Sequence, residues 1–203
     1  MDNDQLEILV GLIFASGRLE RRPQQDHWGY CAVFSGSPGA EDFMEEKLSE
    51  FKKAIPTNAG IHSYVAYRSQ REPHEGGVRS TQSRALRFRI RSPQLEIAWN
   101  LLYPNGFKEV TLVLLEMLSQ RAAAWHWAEN ALPHRYGIQL KRVGETREEA
   151  ELVRLWIKSM TGAHGTVVRE TKDPRIIFEG PEEAQIRHAL APYAPFTRRS
   201  KFR

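Results

Sequence analysis

The sequence predicts an α+β protein of two similar halves, each running helix, two strands, helix, two strands, helix, an αββαββα order met twice. Three observations predict it. Apolar spacing switches between helical and alternating periods in the same order in each half; glycine, proline and asparagine punctuate the switches; and an apolar, small-residue helix opens both halves, Leu9 to Gly17 in the first and Leu118 to Ala131 in the second. With 203 residues and 41% apolar content, the chain can bury roughly 70% of its unfolded surface, enough for one large core or two small ones.

In the first half, Gln5 to Ala15 reads as a helix that is apolar except at Glu7, with Gly17 as its C-terminal stop. A strand pair follows, its second member from Trp28 to Phe34, closed by Ser35-Gly36-Ser37-Pro38-Gly39. Glu41 to Ala54 is an amphipathic helix, with Phe43, Met44, Leu48 and Phe51 on one side and Glu45, Glu46, Lys52 and Lys53 largely on the other. Two more strands, Ile61 to Arg68 and Arg84 to Arg91, are joined by a polar loop from Gln70 to Ser83. The second of them alternates Leu86, Phe88 and Ile90 with Arg87, Arg89 and Arg91, giving one apolar and one cationic face. Pro93 to Tyr103 is a short helix that Pro104-Asn105-Gly106 breaks.

The second half repeats the order, with a helix from Ser119 to Glu129 and a strand from Tyr136 to Arg142. Thr146 and Glu149 form a capping box for a helix carrying Leu152, Leu155, Trp156 and Met160, which Gly162 stops. Gly165 to Glu170 and Arg175 to Phe178 form a hairpin, and Pro181 opens a last helix through Ala189. Tyr103 to Thr111 serves as the linker, so the halves are residues 1–103 and 104–203.

Charge placement points to a polyanion. Net charge is only +4, but Arg68, Arg71, Arg79, Arg84, Arg87, Arg89 and Arg91 crowd one stretch against Glu72 and Glu75, and the chain ends in Arg198, Arg199, Lys201 and Arg203. Arginine's planar fork pairs with phosphate oxygens and guanine edges. Tyr64 and Tyr67 beside Arg68 can add to that surface. The basic C-terminal cluster reads either as a disordered tail or as a phosphate contact. The apolar run Leu9 to Ala15 is too short for a membrane span and lacks a basic leader. The lone Cys31 excludes an internal disulfide, and His126, His134 and His164 lack zinc-site spacing, so they read as structural or surface residues. These features lead us to expect an intracellular protein, cytoplasmic or nucleoid-associated.

Leu9-Val10-Gly11-Leu12-Ile13-Phe14-Ala15-Ser16-Gly17 resembles the LAGLIDADG motif of homing endonucleases, and the segment from Leu118 to Ala131 resembles the second motif of its single-chain members. Gly11 and Ala15 leave one helix face without bulk, as close helix packing requires. The resemblance implies a monomer whose two motif helices pack at the centre between saddle-shaped antiparallel sheets. It implies double-stranded DNA as the partner, with RNA open as an alternative. In the family each helix delivers an acid that holds divalent cations at the scissile phosphates.

Here the acid positions fall on Ser16 and Asn130, with Glu129 one residue before Asn130. The resemblance therefore implies a degenerate site and a binding protein without a cofactor. A shift of one residue leaves open Glu129 as a residual acid, with Asn130 replacing the motif's glycine in a left-handed conformation. In that case Mg²⁺ and endonuclease activity return, and an RNA-binding intron maturase is a further alternative. Glu20 is another nearby acid, read as a solvated strand charge beside Arg18 and Arg21. Trp125 and Trp127 read as core.

Overall fold

The computed structural model describes residues 1–21, 29–71, 78–168 and 173–202, with main chain only at 66–71 and 78–82. Its first half runs α1 (Asn3–Ala15), β1 (Arg18–Arg21), β2 (Tyr30–Gly36), α2 (Glu41–Ala54), β3 (His62–Arg71), β4 (Val78–Arg91) and α3 (Leu95–Leu102). A short α4 (Leu112–Glu116) precedes α5 (Gln120–Asn130), β5 (Ala131–His134), β6 (Gly137–Leu140), α6 (Arg147–Thr161), β7 (Thr166–Val168), β8 (Arg175–Glu179) and α7 (Gly180–Leu190). Both sheets are four-stranded and antiparallel, with strand orders β1-β2-β4-β3 and β5-β6-β8-β7. The expected repeat is therefore present, strand for strand.

The centre is made by α1 and α5. Asp2 opens α1 with a capping box, its carboxylate accepting from the Gln5 amide at 2.8 Å while the Gln5 side chain accepts from Asp2 N at 3.1 Å. Every residue from Leu9 to Ala15 is buried, because α5, α2 and α3 all pack on this one helix. The closest point is Gly11, where an added Cβ would lie 2.9 Å from Ala122 Cβ. Gly11→Val is expected to cost about 1–3 kcal/mol by overpacking this seam. The check is the urea unfolding midpoint, with an unchanged midpoint counting against the tight approach.

Several sequence expectations hold. Leu86, Phe88 and Ile90 are buried beneath α2, where Phe34 stacks on Phe88 at 4.7 Å and meets Phe51 edge-on. Trp125 and Trp127 are core, packed on Phe43 and Phe178. Thr146 and Glu149 form the capping box of α6, and Gly162 closes that helix in a left-handed conformation, φ +80°.

Others are corrected. Residues 70–71 and 78–83 are strand rather than polar loop: β3 and β4 pair in continuous register from His62↔Arg87 to Arg71↔Val78. A two-stranded ribbon needs no apolar face while its backbone groups are satisfied by each other, so alternation fades where pairing continues. Residues 72–77 lie outside the described residues. Gly17 does not stop α1 by a left-handed turn; Ser16 is the C-cap. Glycine is required there because a Cβ would sit 2.7 Å from the Phe34 ring and 2.9 Å from Ile13 Cα. Helix α4 was not foreseen, the first strand of the second half, expected from the repeat but without bounds, is β5, and residues 169–172 of the last hairpin lie outside the described residues.

The basic C-terminal segment is no free tail. Residues Phe196–Phe202 form a 3₁₀ helix docked on α2, where Glu46 accepts from Phe196 N, Thr197 N and Thr197 Oγ1 at 2.5, 3.0 and 2.6 Å, and Phe202 is buried.

Candidate functional site

The C-terminal ends of α1 and α5 meet at the floor of a cleft of about 950 Å³. Ser16 ends the first helix. Its Oγ donates to Glu129 Oε1 at 3.0 Å, across a sequence separation of 113 residues, and accepts from Lys47 Nζ at 2.9 Å. Lys47 also forms an ion pair with Glu129. Lys47 comes from α2, where it occupies an apolar position between Phe43 and Phe51, and its side chain is only 2% exposed. The ammonium lies 4.8 Å from the Phe43 ring centroid and 5.8 Å from that of Phe34, within reach of cation–π attraction. Burial, with Arg142 and Arg198 adding to it, pushes the Lys47 pKa down to about 7. The Glu129 carboxylate in contact opposes that shift, since an adjacent opposite charge favours the charged ammonium.

Asn130 does not face Ser16. It is buried, and its Nδ2 donates to Ala15 O at 2.7 Å and to His126 O at 3.1 Å, tying the two central helices together. Nor does it take a left-handed, glycine-like conformation; it is the last residue of α5. His126, one turn earlier, is fully buried, stacked on Phe14 at 4.9 Å and edge-on to Trp156. Burial, then the nearby Lys108 and Arg142, lower its pKa to about 3, so the ring is neutral.

Each central helix is also capped by a lysine that follows the last helix of its own half. Lys108 donates to Ile13 O, Phe14 O and Gly17 O at 2.9, 3.1 and 3.2 Å at the end of α1. Lys201 donates to Ala128 O and Ala131 O at 2.8 and 3.0 Å at the end of α5. Both satisfy carbonyls that a helix end leaves without partners and answer the negative end of its dipole. Burial and Arg142 lower the pKa of Lys108 to about 8, and burial also lowers that of Lys201.

Further out, the cleft is lined by Arg18, Lys141, Arg142, Arg175 and Arg198, against Glu145 and Asp173. Arg142 holds a left-handed backbone, φ +56°, a conformation that costs a non-glycine residue about 1–2 kcal/mol. The helix-free faces of both sheets open into this space, since Val33 and Ser35 of β2 and Leu132 and Arg175 of the second sheet all line it. On the first sheet, Arg87, Arg89 and Arg91 project from that face. Arg87 lies over the Tyr64 ring at 3.8 Å, and its buried Nε has no hydrogen-bond partner among the described residues. Arg89 and Arg18 contact Glu20 at 3.4 and 2.8 Å, so Glu20 is an ion-paired residue rather than a solvated charge.

Comparison with solved structures fits this arrangement. The homing endonuclease I-WcaI, bound to its DNA recognition sequence, superposes with a TM-score of 0.73 over 100% of this chain and 87% of its own, at 13% identity. The chain has the LAGLIDADG homing-endonuclease fold. Two structures of DUF199/WhiA, its N-terminal LAGLIDADG domain and the full-length protein from Thermatoga maritima, align at TM-scores of 0.49 and 0.48. Each covers 93% of this chain at 11% identity, and 81% and 55% of those chains respectively. No family model matches the sequence, and no curated protein matches it.

Within this LAGLIDADG fold the sequence-derived site residues sort as follows. Gly11 and Ala15 lie at the seam between α1 and α5, as expected. Ser16 meets Glu129, while Asn130 turns inward. Arg87, Arg89 and Arg91 share one face. Arg84 has the parity of Leu86, so although exposed it points away from that row. The side chain of Arg68 lies outside the described residues. Lys201 is committed to α5, Arg198 sits over the Phe43 ring at 4.5 Å, and Arg199 is exposed beside Phe196. The sequence reading missed Lys47 and Lys108. The signal for Lys47 was present, a charged residue at an apolar position of an amphipathic helix.

Proposed function

We propose that this protein binds double-stranded DNA across the open faces of its two sheets and leaves it uncut. The observation that carries the reading is the Lys47 ammonium between Ser16 and Glu129, where the LAGLIDADG enzymes bring paired acids together. A hard divalent cation needs several oxygen ligands, usually more than one of them anionic. Among the described residues, Glu129 is the one carboxylate in contact with Ser16 and is already ion-paired with Lys47, while the helix-end carbonyls are taken by Lys108 and Lys201. This donor set does not suit Mg²⁺, and we derive no step through it. Among the described residues, no group of three or more histidine, cysteine, aspartate or glutamate side chains is placed to hold a metal ion.

DNA is favoured by the arginines on the open face, by the cationic cleft both sheets share, and by the DNA-bound state of the I-WcaI neighbour. The single chain supplies both halves, which fits a monomer. The test is retention of a labelled duplex pool in EDTA and in Mg²⁺. Equal retention without cleavage is expected, and a specific Mg²⁺-dependent double-strand cut would overturn the reading. Structured RNA held more tightly than duplex at every salt concentration would move the assignment to RNA. Arg87→Ala and Arg89→Ala are each expected to cost about 1–3 kcal/mol of affinity if they reach base edges. Unaltered titration curves would remove β4 from the interface.

A further inference from the structure

The two open faces differ in chemistry. Across the second sheet one row of directly paired residues runs Leu132, Gln139, Ile177, Thr166, one from each strand. Directly paired residues of antiparallel strands project to the same side, and the alternate residues Ile138, Leu140, Ile176 and Phe178 are buried in the core. The row therefore lies on the open face, and Leu132 is 38% exposed there. The matching rows of the first sheet are Arg18, Val33, Arg89 and Ser35, Arg87, His62. On its open face one sheet thus offers chiefly guanidinium groups; the other offers aliphatic groups, a methyl-bearing hydroxyl and an amide, beside the one guanidinium of Arg175, which is bonded to that amide among the described residues. That amide is held in place, with Gln139 Oε1 accepting from Arg175 Nη1 at 3.0 Å and Nε2 donating to Pro133 O at 3.5 Å.

We infer that the bound duplex is lopsided in composition, with G·C pairs favoured beneath the first sheet and A·T pairs beneath the second. In the major groove arginine pairs with guanine O6 and N7, glutamine pairs with adenine N6 and N7, and aliphatic groups pack on the thymine methyl. The first sheet carries the guanine partners in Arg87 and Arg89. The second carries the adenine partner in Gln139 and the methyl contacts in Leu132, Ile177 and Thr166. This rests on the DNA-binding reading and adds to it which base pairs each half selects.

Selection of the full chain against a random duplex pool tests it. The expected motif has one G·C-rich and one A·T-rich half. Gln139→Ala should weaken the preference for A·T at its position by about tenfold and leave the G·C-rich half unchanged, and Arg89→Ala should do the converse. Ile177→Ala, which removes no hydrogen bond, should also relax the A·T-rich half, and it serves if Gln139→Ala fails to fold. An enriched motif with halves of equal composition, or a Gln139→Ala effect confined to the G·C-rich half, overturns the inference while leaving DNA binding intact. Retention of no duplex at all overturns both.

Discussion

Lys47→Ala is expected to lower the unfolding free energy by about 3–5 kcal/mol, the usual cost of removing one partner from a buried ion pair. The loss has two sources. Glu129, 17% exposed, would keep only the Ser16 hydroxyl as a donor, and the aliphatic stem that packs between the Phe34 and Phe43 rings would go. A double variant, Lys47→Met with Glu129→Gln, restores the stem and removes the orphaned charge, so it should recover most of the stability. Urea unfolding of the two variants separates the terms. A double variant no more stable than Lys47→Ala would show that the charge pair is not what the junction depends on.

Acid should destabilise the fold through His126. Between about pH 6.5 and 3, the unfolded chain takes up a proton on this imidazole that the folded chain refuses. The stability contributed by the neutral ring is complete above pH 6.5 and is lost as pH falls through that window. At about 1.4 kcal/mol per pH unit the full loss is on the order of 5 kcal/mol. His126→Phe keeps an aromatic ring on Phe14 and Trp156 without the titration, so its unfolding midpoint should fall less steeply between pH 6.5 and 4 than that of the wild type. The depressed pKa values of Lys47 and Lys108, about 7 and 8, act in a different window. Their unfolded chains hold the extra proton only above those values, so both contribute stability that rises with pH on the alkaline side and leave the acid slope to His126. Equal acid slopes for wild type and His126→Phe would refute the assignment.

Much of the fold was legible because local rules and the global fold agree. The alternation from Leu86 to Arg91 placed the arginines on one face, Gly11 marked the helix seam, and Thr146 with Glu149 and Gly162 bounded α6. The outer part of the β3–β4 ribbon was not legible, since it pairs without an apolar face to mark it. Nor was the fate of the C-terminal cations. Lys201 looks like a surface charge in sequence, and only the return of the 3₁₀ segment to α2 brings it to the end of α5.

The sequence by itself determined the repeated topology and the small-residue seam, because periodicity and steric bulk are written locally. Only the tertiary structure decided which side chain of α5 answers Ser16. Successive helix residues point about 100° apart, so the choice between Glu129 and Asn130 depends on the rotation of α5 about its axis. Packing of Ala122 on Gly11 and the Asn130 amide bond to Ala15 O set that rotation. The same packing brings Lys47 to the gap, from a helix whose sequence shows a charge on its buried side without showing what neutralises it.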